Sequence, residues 1–272
     1  MKQLLVFFGL ACFISWAIWL PLYGHILGLT NLPVLPFNHA IGGFGPFIAS
    51  FLTTIIFLKT DGVKKLFRKC IQLKPFLYLI VALVSPFVLA CIASLANHYF
   101  NHTPFDIFEQ FTSKEFPHWN FLAFFIYNLV FFGFGEEAGW RGFALPRLLN
   151  KVNALSASIL LTLLWASWHL PLFYYRPGYT TMEWTGILGW IFSLLTGSIL
   201  LTWLYKSSRG SIFICAIFHT AVDIAFTADF SDKNILNYMG FLITVWGILT
   251  VIIFKPKHLV MQSQPRAFKH QI

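Results

Sequence analysis

Charge is what this sequence has least of. Only 11% of its 272 residues are Asp, Glu, Lys or Arg, while 57% are apolar, against roughly 25% charged and about 45–50% apolar in an ordinary soluble domain. That balance excludes a soluble globular enzyme. It excludes a disordered or nucleic-acid-binding chain too, because the net charge of +9 sits on a hydrophobic background and not on a polar one. Cysteine is also scarce. The four thiols, Cys12, Cys70, Cys91 and Cys215, are far apart and form no CxxC pair, so they read as buried or lipid-facing side chains and not as a disulfide scaffold or a zinc knuckle. What is present instead is long apolar runs. At about 20 apolar residues per membrane helix, the composition supplies roughly seven or eight spans and leaves little for a separate soluble domain.

Runs of near-membrane length cover residues 4–22, 40–58, 76–96, 120–150, 154–173, 184–205, 210–228 and 236–254. The expected fold class is therefore all-α, a polytopic membrane bundle of about eight transmembrane helices. The first run follows Lys2 like a signal peptide, yet it is too long and lacks a small-residue cleavage site, so it reads as a retained helix. Three regions are expected: residues 1–119, with three spans, a basic interfacial segment and an outer loop; 120–254, the functional core; and 255–272, a tail. Eight spans put both termini on one side. Of 19 basic residues, 16 fall on that side and only Lys114, Arg176 and Lys233 on the other. The excess predicts cytoplasmic termini and a multi-pass protein of the cell membrane. Residues 63–75, with Leu66, Phe67 and Ile71 among their lysines, read as an amphipathic segment lying against anionic headgroups. The outer loop at 97–119 holds Asp106, Glu109, Glu115, His98, His102 and His118 and reads as a solvated loop.

An ionisable side chain at the bilayer centre costs at least about 2.5–3.5 kcal/mol, so each one marks a candidate functional site. They cluster in three spans. The fourth carries Glu136, Glu137 and Arg141, the fifth His169, and the seventh His219 and Asp223. At 1.5 Å per residue from the nearest turn, Glu136 lies about 21 Å deep, His169 about 27 Å, His219 about 15 Å and Asp223 about 21 Å, depths that let all four line one cavity. Glu137 and Arg141 are i,i+4 and suited to an ion pair. Glu136 points about 100° away as the unpaired carboxylate, in the low-dielectric setting that makes a carboxylate a usable general base. His219 and Asp223 are i,i+4 as well, so the carboxylate can orient the imidazole. Such a set can hydrolyse an amide, or hold a divalent metal such as zinc through His169, His219 and Glu136. Gly133, Gly135, Gly139 and Gly142 favour close helix approach, Trp140, Trp165 and Trp168 are candidate walls, and Pro146 is expected to end or kink the fourth helix.

The order Glu136-Glu137-xxx-Arg141, then Trp165-xxx-His169, then His219-xxx-Asp223 resembles the CAAX protease and bacteriocin-processing family of intramembrane proteases over residues 132–225. The resemblance implies that Glu136 activates water with His169, that His219 and Asp223 stabilise the oxyanion, and that Glu137 and Arg141 support the base. Two positions depart from the family pattern: Trp165 stands where Phe is frequent, and Asp223 where the eukaryotic enzymes have Asn. An ionised Asp cannot donate to an oxyanion, so Asp223 is expected to orient His219 instead. The family is described both as glutamate-dependent and as metal-dependent. The expected function is an intramembrane endopeptidase acting on a peptide or membrane-protein substrate, lipidated or not, with the lipid bilayer and no nucleic acid as its other partner. The alternatives are a non-catalytic membrane immunity or regulatory protein of the same fold and a small proton-coupled transporter. The transporter would show repeated broken helices in both halves, whereas the polar motifs lie only in the second.

Overall fold

Seven helical stretches are long and apolar enough to cross a membrane: Lys2–Leu27, Asn38–Cys70, Phe76–Asn101, Phe121–Leu149, Ala154–Tyr175, Trp184–Ser207 and Lys233–Phe254. They come from a computed structural model that describes residues 1–103, 105, 113, 115–228 and 233–260. Among these the regular structure is helical, apart from one bridge between Ser113 and Ala228. Asp106, Glu109, Lys114, Arg266 and Lys269 lie outside the described residues. The helices used below are α1 (Lys2–Tyr23), α2 (Asn38–Gly43), α3 (Gly45–Cys70), α4 (Phe76–Asn101), α5 (Phe121–Leu149), α6 (Ala154–Trp168), α7 (Leu172–Tyr175), α8 (Trp184–Ser207), α9 (Ile212–Thr227) and α10 (Lys233–Phe254).

The eighth expected span is α9. Its 16 residues reach only about 24 Å, less than the ~30 Å hydrocarbon core. Most of its side chains are buried, Cys215, Phe218, His219 and Thr220 among them. Helices surround it where lipid would otherwise be, so its length need not match the bilayer.

Local chemistry sets the starts of the site-bearing helices. Asn120 Oδ1 accepts from Ala123 N–H, Asn153 Oδ1 from Ser156 N–H and Ser211 Oγ from Ile214 N–H, each satisfying a donor left free in a first helical turn. Two expectations about helix continuity need correction. Pro146 neither ends nor interrupts the fourth span, which runs on to Leu149. Its missing N–H falls just after a wide π-helical turn, Trp140–Ala144, where the ordinary i→i−4 ladder is already suspended. The fifth span does not run unbroken to residue 173. It stops at Trp168, with His169 as its C-cap and Pro171 opening the short α7, because a proline disfavours helical geometry in the residue before it. The second expected span, 40–58, ends where α3 bends: Lys59 has φ 53° and ψ −155°. The chain bends there so sharply that a Cβ on Gly62 would stand 2.9 Å from Thr54 Cγ2, residues that about 12 Å of straight helix would separate. The arm after the bend tucks Leu66 and Cys70 against Ala138 and Ile212 and leaves Lys64, Lys65 and Arg68 outside.

Two contacts place the chain's described ends together. Arg147 Nε donates to Gln3 Oε1 at 2.9 Å, and Leu155 N–H donates to Pro256 O at 3.0 Å. Residues 1–3 and 255–258 therefore share the end of the bundle that carries the α5–α6 turn.

Candidate active site

Glu136 and Glu137 sit on one ordinary helical turn, Gly135–Gly139, held between two π-helical turns, Leu129–Phe134 and Trp140–Ala144. Widened turns of this kind recur at functional sites because they re-aim the side chains between them. Glycine lets this stretch pass between two neighbours. A Cβ on Gly133 would lie 2.7 Å from the Ala216 carbonyl oxygen of α9, and one on Gly139 would lie 2.8 Å from the Pro46 carbonyl oxygen of α3.

Both glutamates are buried, Glu137 completely. Glu137 Oε1 accepts from Arg141 Nη1 at 2.9 Å and from His219 Nδ1 at 2.7 Å. The expected Glu137–Arg141 pair is present, and it removes Arg141 from the basic face of the protein: this guanidinium is fully buried and stacked 4.6 Å from the centre of the Trp165 ring. The histidine contact was missed in the sequence reading. It makes Glu137 the nearer of two carboxylates on His219, since Asp223 Oδ2 stands 3.4 Å from Nε2. Asp223 was expected to orient His219, and it is the looser partner; its side chain is about a third exposed (32%).

Glu136 forms no ion pair among the described residues, as its helical position suggested, but it is not free: its Oε2 accepts from Trp165 Nε1 at 2.5 Å, a short charge-assisted bond if the carboxyl is ionised. Trp165 is in fact the centre of the cluster. Beyond Glu136 and Arg141, its ring lies 5.6 Å from that of His219 and 5.8 Å from that of His169, and its carbonyl accepts from His169 Nδ1 at 2.8 Å. That bond fixes the Nδ1–H tautomer of neutral His169 and leaves Nε2 as an acceptor. Where the family pattern has Phe, this chain thus adds a hydrogen-bond donor. The i,i+4 spacing of Trp165 and His169 was the available signal, since it puts both on one helical face.

His169 is enclosed by further rings that the sequence did not single out. Tyr179 lies nearly parallel to it at 6.4 Å, and Trp190 crosses it edge-on at 5.8 Å. Of the expected walls, Trp168 packs 4.8 Å from His169, while Trp140 meets Trp168 and Phe7 and not the histidines. The turn is braced from α1: Trp16 Nε1 donates to the Trp168 carbonyl and Trp168 Nε1 to Ser15 Oγ. Glu136, His169 and His219 are each no more than 8% exposed, so none of the three faces lipid.

Both His219 nitrogens face carboxylates, whereas His169 donates Nδ1–H to a carbonyl and keeps Nε2 free, as a metal-ligating imidazole would. Among the described residues, no three His, Cys, Asp or Glu side chains gather closely enough to hold an ion.

Residues 118–225 match the family described as Type II CAAX prenyl endopeptidase Rce1-like. This segment is similar to the CAAX protease family. It contains all six residues of the cluster, Glu136, Glu137, Arg141, His169, His219 and Asp223. Over 94 residues the chain is 34% identical to the CAAX prenyl protease 2 of Methanococcus maripaludis, an alignment that takes in 33% of this chain and 34% of that protein. The chain therefore spans about a third of the length of the curated relative it matches. α1 and α3, which brace the site, lie outside the matched segment.

Proposed function

We propose that the chain is an intramembrane endopeptidase that hydrolyses a peptide bond by carboxylate-activated water, with its termini and most of its basic residues on the cytoplasmic side of the cell membrane. The observation that carries the reading is the sharing of one indole by four groups: Trp165 binds the Glu136 carboxylate, stacks Arg141 and packs both histidine rings. Helices glued by polar contacts need no such convergence of a carboxylate and two imidazoles in an apolar bundle.

In this reading Glu136, with the bare Nε2 of His169 as second acceptor, takes a proton from a water as its oxygen attacks the amide carbonyl. The tetrahedral oxyanion is stabilised by His219 in its doubly protonated form. Glu137 holds Nδ1–H, and Nε2–H, only loosely engaged by Asp223, turns to the developing charge. The proton on Glu136 then passes to the leaving nitrogen as the C–N bond breaks, which restores the carboxylate. A substrate with a prenylated C-terminal box is the first to try, because that is what the name of the archaeal relative describes. The test is cleavage of a farnesylated C-terminal peptide by the purified protein in detergent. Wild type should cleave; Glu136→Gln should lose about 100-fold or more of turnover, and His169→Ala should lose a comparable factor. Turnover that survives either substitution would refute the mechanism, and turnover abolished by a chelator would refute its metal-free form.

A further inference from the structure

Between the bent arm of α3 and the last turns of α5, at the end of the bundle that carries residues 1–3 and 255–258, lies a cavity of about 580 Å3. Its lining combines apolar side chains, Leu58, Leu66, Phe143 and Pro146, with five cations, Lys65, Arg68, Lys69, Arg147 and Arg209. Asp61 is the one carboxylate in the lining. None of the five cations forms an ion pair among the described residues, where all the salt bridges involve Glu137, Glu115 or Asp223.

A generic basic surface would leave its side chains splayed into water. Here three separate chain segments aim them at one space, and two are held by neutral acceptors. Lys69 Nζ donates to Tyr205 Oη at 3.0 Å, and Arg147 donates to Gln3 Oε1 at 2.9 Å and to the Phe143 carbonyl at 2.7 Å. The backbone that delivers them is equally particular: Lys59 and Arg209, at φ 53° and 59°, occupy the left-handed region that side-chain-bearing residues seldom adopt. Gathered like charges repel one another unless an anion joins them, and apolar side chains in the same lining suit an anion with a hydrocarbon tail.

We propose that this cavity binds an anionic membrane phospholipid, its phosphate among the five cations and the first carbons of its chains along Leu58, Leu66 and Phe143. The site is independent of the peptidase reading and stands or falls separately from it. The experiment is native mass spectrometry of the full chain released from detergent after titration with phosphatidylglycerol, with phosphatidylcholine of the same acyl chains, or with inorganic phosphate. Phosphatidylglycerol should be retained at roughly tenfold lower concentration than phosphatidylcholine. Arg68→Gln together with Arg209→Gln, both exposed, should weaken that retention by about fivefold for each cation removed. Lys255→Gln with Lys257→Gln, which takes the same charge from the same end but outside the cavity lining, should leave it unchanged. Equal retention of the two lipids overturns the proposal. Equal weakening by the two double variants overturns it as well, because it assigns the effect to diffuse surface charge; so does displacement of the lipid by inorganic phosphate at matched concentration.

Discussion

Glu136 and Glu137 are adjacent in sequence and differ in what surrounds them, so the two isosteric amides should part company. Glu137 is fully buried between a guanidinium and an imidazole, and replacing it by Gln leaves Arg141 charged, buried and without its carboxylate. Breaking a buried pair in this way costs about 3–5 kcal/mol. Glu137→Gln should therefore lower the thermal unfolding midpoint in detergent steeply, while Glu136→Gln, which keeps an acceptor for Trp165 Nε1, should unfold close to wild type and fail in turnover. A fully stable Glu137→Gln would deny that pair its structural part. Trp165→Phe asks a finer question, since it keeps an aromatic wall and deletes only the donor to Glu136. A hydrogen bond to a charged group is worth about 1.5–3 kcal/mol, so turnover should fall roughly tenfold or more while the substrate concentration at half-maximal rate stays put. The residues in this cluster were legible in the sequence because ionisable groups are so costly in lipid that their presence alone points to a site. The indole was not legible as a donor, being one of ten tryptophans in a chain that is 19% aromatic. Nor was the bond from His219 to Glu137, which joins residues 82 apart through a helix packing that no local pattern encodes.

At the scale of elements, the spans were readable and their irregularities were not. Long apolar runs announce a helix wherever they occur, but a π-helical turn and the stop after Trp168 leave hydrophobicity unchanged and alter only backbone geometry. Those irregularities are what position the site. α5 can present two glutamates between α3 and α9 because Gly139 and Gly133 let the backbones approach. Gly139→Ala would press a methyl group to 2.7 Å from Pro46 Cβ and 2.8 Å from its carbonyl oxygen, and those neighbours are backbone and a rigid ring that cannot swing aside. Overpacking of this kind costs about 1–3 kcal/mol. The expected result is a lower unfolding midpoint together with lost turnover, whereas Gly189→Ala on α8, with nothing within 4 Å, should alter neither. If Gly139→Ala proved as stable and active as wild type, the close α3–α5 contact would not be what sets the glutamates.

At the scale of the whole molecule the count of crossings decides which compartment meets each surface, and that count turns on α9. Seven crossings would put the two ends of the chain on opposite sides, eight on the same side. α9 has only 16 residues, so length alone would leave it in doubt. The contacts of Arg147 with Gln3 and of Leu155 with Pro256 bring residues 1–3 and 255–258 to one end of the bundle, an arrangement that supports an even number. The proposed cytoplasmic placement of that end rests on the rule relating basic loops to the cytoplasm. Expressed in a bacterium, a fluorescent protein joined before Met1 or after Lys257 should fluoresce in both cases. Alkaline phosphatase joined at the same points should stay inactive, and joined after Asn101, at the end of α4, it should be active. Fluorescence from one end only would remove α9 from the count of crossings and put the two ends of the chain on opposite faces.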